Sequence, residues 1–246
     1  MNRTGLSIAL AVAVTVGLLF GIYPKFDLQI SALFYDPQVP SSWIGTVGVV
    51  TLLREIARWA VALVVAPAFI ALIIKLICPR RRMLIAARGA VLMVVTLALG
   101  PGLLTNVLLK DEWGRPRPID VTEFGGTDRF VAWWNPRGGC PKNCSFIAGE
   151  PSGAFWTLAP AALAPPQWRV LAYAGALGFG AVVGLMRIAG GGHFFTDTAF
   201  AGVFMFLLIW LVHGLLYRWP ATRTTDAAIE RALERLRGMR KRETGA

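Results

Sequence analysis

The sequence predicts an all-α fold, a polytopic membrane helix bundle of six transmembrane helices. Three observations carry this expectation. Hydrophobic residues make up 55% of the 246 residues, and mean hydropathy is +0.56, well above a soluble domain of this length. Several apolar runs approach or exceed the roughly 20 residues that cross a bilayer as a helix. The arginines behind the net charge of +11 cluster beside those runs. That is the pattern of topology signals and headgroup contacts, and it argues against a nucleic-acid surface.

The first span is expected over residues 6–23. No small-x-small cleavage site follows it, since the chain continues Tyr23-Pro24-Lys25-Phe26-Asp27, so it reads as a retained anchor rather than a signal peptide. The second covers 59–77 and contains Pro67. The third covers 84–109, with Gly100-Pro101-Gly102 as its kink; membrane helices tolerate such breaks where neighbours re-satisfy the backbone. The fourth, 150–164, is short and stops at Pro165-Pro166. The fifth covers 170–188 and the sixth 194–217.

Orientation follows from the basic residues. Arg80, Arg81, Arg82 and Arg88 lie between spans two and three. Arg218, Arg223, Arg231, Arg235, Arg237, Arg240, Lys241 and Arg242 follow span six. The positive-inside rule makes both groups, and both termini, cytoplasmic. Residues 1–223 read as one membrane domain and 224–246 as a basic tail. In that tail Ile229, Leu233 and Leu236 recur at helical spacing among charges, which fits either an amphipathic helix on the inner membrane surface or a solvated helix or frayed tail. On the outer side, apolar residues Leu28, Ile30, Leu33 and Phe34 suit a short helix lying in the interface over 26–35. Of three cysteines, Cys78 reads as a plain thiol. Cys140 and Cys144 flank three residues of an outer loop, where a small-loop disulfide is favoured over a metal site.

Three polar groups gather at the outer helix ends. Lys110 and Arg117 stand seven apart after span three, beside Pro116 and Pro118. Residues 145–154 enter span four with small side chains and free backbone N–H groups, a natural anion site. Arg187, His193 and Asp197 join spans five and six across three glycines. His193 and Asp197 are four apart, so on a helix they share a face. A carboxylate there can hold one ring nitrogen and leave the other as a nucleophile. Any one cation alone reads as a helix-end anchor; three beside a His–Asp pair on one membrane face do not.

These residues resemble the type-2 phosphatidic acid phosphatase superfamily, relatives of the vanadium haloperoxidases. Its first signature, Lys-x6-Arg-Pro, is matched by Lys110, Arg117 and Pro118. Its third, Arg-x5-His-x3-Asp, is matched by Arg187, His193 and Asp197. The resemblance spans roughly residues 84–217, and six spans is the family's usual architecture. The second signature, Pro-Ser-Gly-His, departs. In one register Pro151-Ser152-Gly153 match and Ala154 replaces the histidine, as in a knockout. In the other, the wider pattern Ser-Phe-Pro-Ser-Gly-His-Ala-Ser falls on residues 145–152, with Ala148 for serine and Glu150 for histidine. The second is preferred because it keeps Ser145-Phe146 and Ser152 and spaces better to His193. Either way the usual histidine acid is absent. His213 lies twenty residues along from His193, about 30 Å at helical rise, too far to replace it.

The resemblance implies an integral membrane phosphatase acting on a lipid phosphomonoester or diphosphate of lipid A, polyprenyl or phospholipid type. His193 is then the nucleophile that forms a phosphohistidine and Asp197 orients it. Lys110, Arg117 and Arg187 hold the phosphate and the backbone N–H of Gly149 adds a donor; Ala148, counted with these binding residues, lacks the family's serine hydroxyl. No cofactor is implied, since the cations stand where a metal would. Glu150 is the candidate acid, and three nearby cations oppose that role. The site therefore reads as one for good leaving groups, such as a lipid diphosphate or a sugar 1-phosphate of lipid A. Arg129, Trp133, Trp134, Arg137 and Lys142 of the outer loop fit either a lipid headgroup or interfacial anchoring. The expected location is the bacterial inner membrane, with the site on the periplasmic face. Rival readings are a lipid-to-lipid phosphotransferase, an inactive relative that binds phosphorylated lipid, and, from charges that avoid mid-depth, only weakly a channel or transporter.

Overall fold

The structure is a computed structural model that describes residues 1–38, 43–46 and 48–243, except for the side chains of 237–243. Arg237, Arg240, Lys241 and Arg242, counted above as inner-side charges, lie outside the described side chains. Among the described residues every regular element is a helix. Five helices are long and apolar enough to cross a membrane: α1 (Arg3–Ile22), α3 (Gly48–Ile77), α4 (Ala87–Glu112), α7 (Arg169–Ala189) and α8 (Phe195–Arg218). A short α2 (Lys25–Ala32) follows α1, α5 (Gly149–Phe155) and α6 (Leu158–Ala162) precede α7, and α9 (Asp226–Glu243) ends the chain. The long helices expose Leu18, Leu63, Phe69, Val182 and Leu185. Such rows are a defect in water and the required surface in lipid.

The fourth expected span differs from a simple helix. It is two short pieces, α5 and α6, broken at Trp156–Thr157. Together they cover residues 149–162, about 21 Å at helical rise, short of the ~30 Å hydrocarbon layer. They sit in the middle of the bundle against α7 and α8. Trp156, Leu158 and Ala159 are fully buried, so small and aromatic residues pack where a lipid-facing helix would carry leucines.

Two helices depart from ideal geometry in ways that serve the site. α3 begins eleven residues before its expected start and has 30 residues, about 45 Å. Its first turns thus extend past the apolar layer and carry Arg54 and Arg58. α4 widens to π geometry over Ala98–Leu109. Pro101 cannot donate to the helix ladder, and its carbonyl is taken up by Asn106 Nδ2 at 2.7 Å.

The other end of the bundle holds the tail. Lys75 of α3 is buried and donates to Glu230 at 2.9 Å and Glu234 at 2.7 Å. Arg88 pairs with Asp226 at 3.3 Å and lies over the Tyr217 ring. α9 is therefore a docked helix, not a frayed end. Its acidic face meets α3 and α4, and Ile229 and Leu233 are half-buried beside it. His213 is buried and stacks on Tyr217 with ring centroids 4.8 Å apart, an interior role.

Candidate active site

The site is built where the α7–α8 turn, the N-terminus of α5, the C-terminal end of α4 and the first turns of α3 meet. The turn reverses within Gly190–Gly192. Gly191 has φ +65°, and a Cβ there would lie 2.5 Å from the Trp43 ring. At Gly192 a Cβ would lie 2.3 Å from Arg187 Nη2. Only glycine lets the chain turn so tightly over the guanidinium.

His193 is 2% exposed. Its Nδ1 stands 2.7 Å from the carbonyl oxygen of Ser145. A carbonyl only accepts, so Nδ1 carries the proton and Nε2 keeps its lone pair. Burial, then the charges of Arg187, Arg117 and Lys110, hold the imidazole pKa well below 6.5. The ring is thus neutral and nucleophilic beside three cations.

Asp197 does not hold His193 in the way its helical spacing suggests. Its Oδ2 is 3.9 Å from Nδ1. The carboxylate instead accepts from Ser145 Oγ, from the Arg115 guanidinium and from the Phe194 backbone N–H at 2.8 Å. The last bond caps the start of α8, where a carboxylate also suits the helix dipole. Asp197 therefore fixes Ser145, and Ser145 fixes the ring.

Sequence reasoning missed two residues of this network. Arg115 is fully buried and donates to Asp27 of α2 at 2.8 Å as well as to Asp197. Asp27, 1% exposed, also accepts from Thr196 N–H at 3.1 Å and Thr196 Oγ1 at 2.6 Å. α2 consequently buries Asp27 and Ser31, while Leu33, just past its end, is exposed. The doubled arginine around Pro116 was the available signal. Its first member is structural and its second faces the site.

Lys110 and Arg117 are joined through the loop. Lys110 Nζ donates to Asn143 Oδ1 at 3.3 Å, and Arg117 Nη2 donates to the Asn143 carbonyl at 2.8 Å. Cys140 and Cys144 form a disulfide that closes this loop. Gly149 lies under Lys110, and a Cβ there would be 2.9 Å from Nζ. The Ala148 N–H donates to the Asp197 carbonyl at 3.3 Å, which ties the start of α5 to α8. Of the loop residues, Trp133 packs into the bundle on Phe200 at 4.4 Å, whereas Trp134 is exposed.

Glu150 lies in the site, but as half of an ion pair. Arg54 grips both its oxygens, Nε to Oε2 at 2.9 Å and Nη2 to Oε1 at 2.6 Å, and Arg187 is 3.9 Å away. A carboxylate forked by a guanidinium is ionised, so Glu150 has no proton to give as the general acid. Ala154 lies one turn deeper, buried with Ala57 and Val183. The geometry therefore favours the register that sets Glu150, not Ala154, opposite the family's histidine. Ser152 is buried between Thr105 of α4, 3.2 Å away, and the Ala148 carbonyl. Arg54 and Arg58 stand one turn apart in the first turns of α3; the expected second span started at residue 59 and left both outside it.

Residues 89–223, more than half of the chain, match the PAP2 superfamily. A lipid A 4'-phosphatase of Francisella tularensis subsp. novicida (strain U112) is 34% identical over 224 residues, covering 89% of this chain and 98% of that protein. One from Rhizobium leguminosarum is 38% identical over 103 residues, 42% of this chain and 44% of the relative. One from Rhizobium etli is 36% identical over 102 residues, 42% of this chain and 40% of the relative. No solved structure gives a significant match. With its first and third signature residues gathered around one buried histidine, the chain belongs to the PAP2 superfamily.

Proposed function

We propose that this chain removes a phosphate monoester from an acylated sugar phosphate of the lipid A type, with His193 as nucleophile. That it is a membrane lipid phosphatase follows from the family match and from the relative aligned over nearly its whole length. His193 as nucleophile is carried by one observation, the Ser145 carbonyl on His193 Nδ1, which leaves Nε2 unprotonated and free; the substrate class is supported by the relatives named for lipid A.

In the proposed reaction Nε2 attacks phosphorus as the bond from phosphorus to the sugar oxygen breaks. Lys110, Arg117 and Arg187 take up the charge that spreads over the phosphoryl oxygens. The departing oxygen takes a proton from water, since Glu150 is ionised. Water then attacks phosphorus, the P–N bond breaks, and phosphate leaves with His193 neutral again. The relatives speak against the expected preference for good leaving groups. The relatives are named for a 4'-phosphate, which sits on an ordinary sugar alcohol.

The proposed location is the bacterial inner membrane with the site outward. The support is that Arg81, Arg88 and Arg223 gather at the tail end of the bundle, opposite His193, and the positive-inside rule makes that end cytoplasmic. The test is phosphate release from lipid A by purified protein beside His193→Ala. Release confined to the 4'-position and abolished in the variant supports the proposal. Release retained by the variant overturns it.

A further inference from the structure

Beside the phosphate-binding residues lies a cavity of about 330 Å³, lined at its polar end by Arg54, Arg58, Lys110, Asn106 and Glu150 and beyond them by apolar side chains of α3, α4 and α5. The Arg54–Glu150 pair is about one-fifth exposed on each side and faces this cavity. None of the family's signature residues calls for Arg54. Glu150 stands where the family's leaving-group acid would be.

The chemistry of the pair is unusual for a phosphate site. Arg54 cancels the charge of Glu150, so the carboxylate does not expel a phosphate held by Lys110 and Arg187. A carboxylate has about four lone-pair sites, and the fork uses two of them. The others are left to accept. Asn106 adds an acceptor to this side, since one of its amide N–H bonds donates to the Pro101 carbonyl and its Oδ1 lies over Gly149. The wall next to the breaking bond therefore carries open acceptors, the Glu150 and Asn106 oxygens, set among the Arg54, Arg58 and Lys110 cations. A leaving group with hydroxyl or amide N–H donors satisfies it. Diacylglycerol offers only ester oxygens, which leave the spare lone pairs of Glu150 and Asn106 without a donor.

We infer that the Arg54–Glu150 pair is the leaving-group selector of this enzyme, admitting phosphorylated lipids whose leaving group is a hydrogen-bond-donating sugar and disfavouring diacylglycerol phosphate. This rests on the proposed lipid phosphatase reading and goes beyond it by naming the residues that choose the substrate. A site built to hydrogen-bond a donor rejects the analogue without one far more strongly than an apolar pocket rejects a missing methylene.

The test compares an acylated glucosamine 4-phosphate with dioleoyl phosphatidic acid, in wild type, Glu150→Gln, Arg54→Gln and the double variant. Wild type is expected to favour the sugar lipid by at least about 100-fold in kcat/KM. The double variant removes both charges together. It is expected to narrow the ratio at least about tenfold, mostly through the sugar lipid, with phosphatidic acid changing less than about threefold. Equal losses on both lipids show a merely structural pair and overturn the proposal, as does a wild type without preference. The same two lipids are also titrated against His193→Ala with and without the double substitution. That binding arm reads selection without turnover, so it decides the matter even if a variant is inactive. Turnover persisting in His193→Ala refutes the proposed nucleophile and leaves the selection result standing.

Discussion

The Nδ1 atom of His193 is 2.7 Å from the carbonyl oxygen of Ser145 and 3.9 Å from Asp197. The ring is therefore oriented by a backbone carbonyl, and the carboxylate works one step removed, by holding Ser145 and capping α8. That relationship changes what each substitution should do.

Asp197→Asn is expected to lower kcat by roughly 100-fold or less. Where a carboxylate itself sets the histidine tautomer, the same change costs about 10⁴; here the Ser145 carbonyl still sets it. Steady-state kinetics on one lipid phosphate check this. A loss near 10⁴ would show that Asp197 reaches the ring directly during turnover.

The pH profile should reflect the low pKa of His193, which burial and the charges of Arg187, Arg117 and Lys110 impose. The active form is the neutral ring. A depressed pKa keeps it neutral down to that value, and activity is lost only as pH falls through it. The acid limb of kcat/KM is thus expected clearly below 6.5. In Lys110→Gln one of those charges is gone, and the limb should move up in pH even though the rate falls. An unshifted limb would assign it to another group.

Arg115→Leu should unfold the site rather than tune it. The guanidinium is buried between Asp27 and Asp197, and its removal strands two carboxylates in a dry interior. Breaking such a pair costs about 3–5 kcal/mol. Thermal unfolding in detergent reads the loss. In a double-mutant cycle, Asp27→Asn should recover part of it.

Lys75→Met should act only at the far end. It removes the ammonium that anchors Glu230 and Glu234, weakening tail docking by about 2 kcal/mol, the scale of hydrogen bonds to charged groups. Limited trypsin digestion should then cut α9 sooner, with phosphate release within about threefold of wild type. A large loss of release would tie the tail to catalysis.

Much of the site could be read from spacing because its chemistry is local in sequence. Lys110 and Arg117 share one helix end and the loop after it, and Arg187, His193 and Asp197 share one turn. Helical spacing put His193 and Asp197 on one face, and the family's signature spacings marked Lys110, Arg117 and Arg187. What could not be read depends on contacts between distant segments. Asp27 finds Arg115 across 88 positions and Arg54 finds Glu150 across 96, and no local pattern announces either. The fold behaved alike. Apolar length identified the five long helices, whereas the break between α5 and α6 reflects burial among neighbours. α3 begins earlier than its apolar run because Arg54 and Arg58, in its first turns, line the cavity of the site, so a hydropathy reading stopped where charge began.

The most direct test of the central claim is to trap the intermediate. Purified protein is mixed with ³²P-labelled lipid A, quenched in alkali within milliseconds, and mapped by mass spectrometry. The account predicts a base-stable, acid-labile phosphoryl group on His193, absent in His193→Ala. Rapid phosphate release with no label on His193, or with label on another residue, would contradict it.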